Sequence, residues 1–200
     1  MATSIAEAGS DSRGDSDNTI TRDDTAWNAG GVAIASENEW YKAAYYDGSG
    51  SYFDYPTQSN TLPTVATANA SGDISNPGTN VANYNNGADW NSLDGNVTTV
   101  GSAGAGSASH YGTFDQGGNV WEWNESIVSS SNRGLRGGSF FGSAFNLQSS
   151  VRNSLVPTSE NNFIGFRVSS LAPIPEPSFY AAILGCLGLT LALMRRKGRV

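Results

Sequence analysis

Sulfur and imidazole, the donors that redox metals and nucleophilic catalysis use most, are nearly missing from this sequence. Its 200 residues include one cysteine, Cys186, and one histidine, His110. That count excludes a disulfide framework, a Cys/His zinc cage and any three-histidine metal site within the chain. Cys186 lies in an uncharged stretch and counts as a small apolar residue. His110 stands in a Gly/Ser-rich loop before Tyr111, where a surface position is expected. The remaining polar chemistry is concentrated in Ser36-Glu37-Asn38-Glu39, Gly118-Asn119-Val120-Trp121-Glu122-Trp123, Arg136-Gly137-Gly138-Ser139 and Gly165-Phe166-Arg167. A purely architectural reading fits these residues: Asn119 satisfies backbone groups in a turn, and Glu122 pairs with an arginine such as Arg136 or Arg152. Trp121 and Trp123 fill the core on both faces of a strand, unless one lines a ligand groove. Arg13-Gly14-Asp15 is so short a tripeptide that chance accounts for it.

Short elements must position these groups. With 24 glycines, 38% hydrophobic, 14% charged and 10% aromatic residues, the chain is neither a coiled coil nor disordered throughout. One or two small loop-rich domains fit its length. Residues 1–24 form a polar leader expected to lack order, and residues 25–171 form the body. Ser36 and Glu39 spell a capping box that opens a helix, with Trp40, Ala43 and Ala44 on its apolar face and Asp47-Gly48 at its end. From Ser49 to Ser109 no period persists, and Tyr52, Phe53, Tyr55, Tyr84 and Trp90 are isolated anchors. Three strands are expected, around Val120–Trp123, Arg133–Phe141 and Asn162–Val168.

Net charge is −7, but four basic residues fall within the last six positions. Residues 1–172 carry seven basic and seventeen acidic groups, a net of −10, which disfavours nucleic acid. From Ser178 to Met194 run seventeen uncharged residues, as a helix about 25 Å long, near the lower limit for a bilayer core. Arg195-Arg196-Lys197 follows directly and predicts a cytoplasmic C-terminus. Pro173, Pro175 and Pro177 precede the run as an extended spacer. The first residues have neither the basic nor the apolar region of a signal peptide, so a misplaced start or a truncated gene is expected.

Pro175-Glu176-Pro177, one apolar stretch and a basic terminus together resemble the PEP-CTERM protein-sorting signal. That resemblance implies an exosortase as partner, export, transient anchoring in the inner membrane by a transmembrane helix over 178–194, and release to the cell surface or matrix. Four ordered blocks of the body, Ile34–Trp40, Gly118–Trp123, Arg136–Ser139 and Gly165–Arg167, resemble the formylglycine-generating enzyme (sulfatase-modifying factor) family. The family pattern has Pro where this chain has Ala35. The resemblance implies an α+β, loop-rich fold related to C-type lectins, over a domain that lacks the family's upstream portion.

The family's oxidase chemistry uses copper between two cysteines, soft ligands suited to Cu(I). They would fall in Phe140–Gln148, which has no Cys, and Gly142 stands at the first position. A related iron branch uses several histidines. Neither copper nor iron is therefore expected. The resemblance does imply a structural calcium site at Asn119 and Glu122, and matches Ser139 to a serine that borders the family's substrate pocket, with Trp121 as a further pocket candidate; Ser139 is otherwise a tight-packing residue. These expectations describe an exported domain without catalysis that binds an extracellular protein or polysaccharide. The alternative is an oxygen-dependent oxidoreductase whose metal ligands are unrecognised or missing, and a glycosylated matrix component is a third possibility.

Overall fold

The computed structural model of the chain describes residues 24–129 and 131–171. The leader through residue 23, Pro175-Glu176-Pro177, the apolar stretch 178–194 and Arg195, Arg196 and Lys197 lie outside the described residues. Among the described residues, no helix is long and apolar enough to cross a membrane.

The body is a loop-rich α+β fold. Helix α1 (Asp24–Asn28) leads into β1 (Val32–Ile34), so two elements precede the capped helix. The capping box forms: Glu39 N–H donates to Ser36 Oγ at 3.2 Å, and Ser36 N–H donates to Glu39 Oε2 at 2.8 Å. It starts α2 (Glu37–Tyr45), which ends two residues before Asp47. Trp40 and Tyr45 are fully buried, and with Ala35, Tyr41 and Ala44 they form the first of three small apolar clusters. The long middle segment holds only β2 (Thr64–Val65) and β3 (Val81–Ala82), a two-residue parallel pair, before a 3-10 turn at Ala105–Ser107. Tyr55 and Tyr84 anchor it against Leu147, while Trp90 is only half-buried.

The main sheet has the order β6-β5-β4-β7, from β4 (Trp121–Ser129), β5 (Asn132–Arg136), β6 (Asn153–Leu155) and β7 (Ile164–Phe166). β5 runs antiparallel to β4 and β6, whereas β7 runs parallel to β4. The strand expected to continue to Phe141 stops at Arg136, because Gly137 (φ 93°) and Gly138 (φ 76°) turn left-handed. The closing strand also divides. β7 extends the main sheet, while β8 (Val168–Ser170) leaves it to pair antiparallel with β1, Ile34 opposite Val168. Arg167 sits between them.

Candidate functional site

The four sequence blocks converge where α2 crosses the main sheet. Glu125 N–H donates to Ala35 O at 3.0 Å and Glu37 N–H to Ser126 Oγ at 3.3 Å, which fixes the start of α2 over β4. Glu122 and Arg136 then stand opposite each other in the β4/β5 register, but they do not pair with each other. Glu122 takes Arg167 instead, which arrives at the end of the neighbouring β7. Arg167 Nε and Nη2 each donate to a different Glu122 oxygen at 2.5 Å, and Trp40 Nε1 donates to Oε2 at 2.5 Å. Arg136 takes Glu37, with Nε at 2.7 Å from Oε1 and Nη2 on the same oxygen. Its Nη1 donates to the carbonyls of Ser149 and Val151 at 2.9 and 2.8 Å. Arg152 Nη1 reaches the other Glu37 oxygen at 2.8 Å.

Glu37, Glu122 and Arg136 are buried, so these are desolvated charges held by paired donors and acceptors. The arginines proposed for Glu122 thus both belong to Glu37, and Arg167 holds the carboxylate. Sequence reasoning missed that exchange because β7, which delivers Arg167, is a parallel neighbour far along the chain.

Asn119 performs the backbone role expected of it. Its φ of 60° places it in the left-handed region that Asn tolerates. Oδ1 accepts from Asn83 Nδ2 at 2.7 Å, Thr98 N–H at 2.8 Å and Thr98 Oγ1 at 3.1 Å, while Nδ2 donates to Thr98 O at 3.3 Å. Its carbonyl accepts from Phe140 N–H at 2.9 Å. Asn119 therefore ties the irregular middle segment, through its side chain, to the turn after β5, through its carbonyl. Asn83 and Thr98 carried no sequence signal, since residues 49–109 show no period.

Trp121 and Ser139 both lie within the frame. Trp121 is buried, and Ser139 is 0% exposed, its hydroxyl having no hydrogen-bond partner. Trp123 is half-buried. Beyond Ser139, Gly142 N–H closes a turn onto Ser139 O at 3.0 Å, and a 3-10 turn at Ala144–Leu147 inserts Leu147 into the core. Phe141 packs edge-on to Phe140 and Phe163 at 5.5 and 4.9 Å between ring centres. His110 is exposed and packs edge-on against Tyr46 and Tyr111, at 5.8 and 5.2 Å.

Asp115 (φ 58°) lies beside this framework. Burial pushes its carboxyl above the usual 3.8, and the nearby charge of Glu122 acts in the same direction; donation from Gly101 N–H and the charge of Arg167 oppose it. No three His, Cys, Asp or Glu side chains converge among the described residues in a way that could hold a metal ion.

The calcium expectation can be tested on the oxygens themselves. Both Glu122 oxygens face cationic or N–H donors, and Asn119 Oδ1 already accepts three hydrogen bonds. A cation there would meet Arg167 head-on, so these two side chains do not fit calcium. Copper fits no better, since Phe140–Gln148 offers it no thiolate.

Buried ion pairs, rather than one large apolar core, join a capped helix to a small mixed sheet. That arrangement defines a class of loop-rich α+β domain. Residues 12–171 match the Sulfatase-modifying factor enzyme 1-like domain, and the chain belongs to that family. The match begins upstream of the body boundary at residue 25 and takes in half of the polar leader. No curated protein matches the chain. Among solved structures, Treponema denticola variable protein 1 is similar, with 21% identity over 70% of this chain and 47% of that one, at a TM-score of 0.40. PvdO from Pseudomonas aeruginosa has 19% identity over 70% and 52%, at 0.43, and CarF has 20% over 71% and 49%, at 0.41. The chain spans about half the length of these proteins.

Proposed function

We propose that this family domain works by binding rather than by oxidation, and that it does so outside the cell. The observation that carries this reading is the assignment of its motif residues. Glu37, Glu122, Arg136 and Arg167 all hold one another or the backbone, and the stretch Phe140–Gln148 has no sulfur donor. What remains for contact with a partner is the loop surface, on which scaffolds of this kind can carry recognition independently of the frame beneath. An extracellular protein or polysaccharide suits such a surface; the net charge of −10 over residues 1–172 argues against a nucleic acid.

The destination follows from the tail. Pro175-Glu176-Pro177, the apolar run and Arg195-Arg196-Lys197 support sorting by an exosortase, with transient residence in the inner membrane and release to the surface or matrix. The test of the first half is an oxygen-consumption assay on the full chain with added Cu(I) or Fe(II) and a cysteine-containing sulfatase peptide. No metal-dependent turnover is expected. Conversion of the cysteine to formylglycine, with stoichiometric metal, would establish the oxidoreductase alternative.

A further inference from the structure

The ribbon formed by β1 and β8 is built inside out. Along residues 166–169 the polar side chains point inward and the apolar ones outward. Arg167 reaches buried Glu122 at 2.5 Å, and Ser169 Oγ approaches Glu39 Oε2 at 3.4 Å. Val168 between them and Phe166, the last residue of β7, face solvent, 47% and 64% exposed. The partner strand continues the same face: Ile34 lies opposite Val168 and Val32 opposite Ser170, with Val32 61% exposed. Leu171, 41% exposed, follows immediately. Apolar side chains exposed singly need no explanation, but Val32 and Val168 on one face of the ribbon, with Phe166 and Leu171 flanking β8, mark a surface that is covered in use.

We infer that this face rests on a lipid bilayer while the chain is anchored by its tail. The inference deepens the proposed membrane residence and rests on it. The tail leaves directly from the end of β8. Only residues 172–177 separate Leu171, the residue after β8, from the apolar run at Ser178, and three of those six are proline. An extended Pro-rich spacer of that length reaches about 19 Å. A folded body of this size has a radius of gyration of about 15 Å, so the face from which the tail leaves is held towards the membrane. Phe and Val are suited to the acyl boundary, and the ribbon face itself presents no Asp or Glu to a headgroup layer. The acidic remainder of the body favours orientation away from anionic lipid.

The experiment uses the full chain reconstituted in phosphatidylcholine vesicles. In a Cys186→Ser background, Val32→Cys is labelled with an environment-sensitive fluorophore, and Phe145→Cys, at a residue 63% exposed beyond the ribbon, is the control. Tail insertion is read separately in the unsubstituted chain, as protection of Cys186 from a membrane-impermeant maleimide until detergent is added. The proposal expects a blue shift and loss of aqueous quenching at position 32, none at 145, and a protected Cys186. If Cys186 is protected while the label at 32 remains as quenchable as that at 145, the docking proposal fails and the anchoring survives. If Cys186 reacts freely in vesicles, both fail. A blue shift at 32 that appears without lipid and grows with protein concentration would assign the face to a second copy of the chain and also overturn the proposal.

Discussion

Glu122 shows how far a motif residue's neighbours decide its work. Removing its charge takes from Arg167 the carboxylate it holds with two nitrogens, beside a buried indole N–H. Breaking a buried pair costs about 3–5 kcal/mol. Because the Arg167 side chain is 26% exposed and Arg136 only 5%, Glu122→Gln is expected near the lower end and Glu37→Gln near the upper end. Urea unfolding measures both, and the reverse ranking would contradict the assignment of partners. Chelation gives an independent check at the same residue: with Glu122 and Asn119 bonded as described, EGTA is expected to leave the thermal midpoint unchanged. Asp115 yields a pH prediction. Its carboxyl is raised above 3.8, so the folded chain holds the proton more tightly than the unfolded one. The contribution favours folding below pH 3.8 and is lost as pH rises through the folded value. Asp115→Asn keeps an acceptor for Gly101 N–H and tolerates φ 58°, so it is expected to raise the midpoint at pH 7 and make no difference near pH 3.

At the scale of elements, the legible parts were those encoded locally. Ser36 and Glu39 announce the start of α2 because a capping box is satisfied within four residues. Ser36→Ala should cost about 1 kcal/mol in chemical unfolding. β4 was recognisable from the alternation at Val120–Trp123, though it runs on to Ser129. β1 and β6, three residues each, were not read at all, since so short a strand has no period to detect. The overlong β5 and the undivided closing strand share another cause. Both depend on distant contacts: a methyl group at Gly137 would lie 2.6 Å from Gln116 O, and β8 exists only because β1 accepts it. The same closeness at Gly118 gives a sharper test. A methyl group there would lie 2.0 Å from Asn83 O at φ 80°, so Gly118→Ala is expected to cost more than about 3 kcal/mol or to abolish folding, read by circular dichroism.

For the molecule as a whole, composition indicated a loop-rich body, and the ordered blocks indicated its family and with it the α+β fold. The identity of the ion pairs was not legible, because the β6-β5-β4-β7 order places residues in contact that lie 45 to 115 positions apart. Among the site residues, the backbone role of Asn119 was legible, while Ser139 and Trp121, candidates for a pocket, are buried in the frame. The sorting proposal has its own measurement at this scale. In a host with an exosortase, the intact mass of the released protein is expected to correspond to cleavage near Pro175–Pro177, and a secreted form retaining Arg195–Lys197 would contradict it.

Pairing the first described strand with the last has a consequence for how the protein is made. Val32–Ile34 emerges from the ribosome early and waits for Val168–Ser170, and Glu122 likewise waits for Arg167. The described body therefore stays open until both partners of these pairs have been synthesised. Chains stalled anywhere before Ile164 are expected to be cut by protease throughout, and resistance should arise in one step once residue 170 is free.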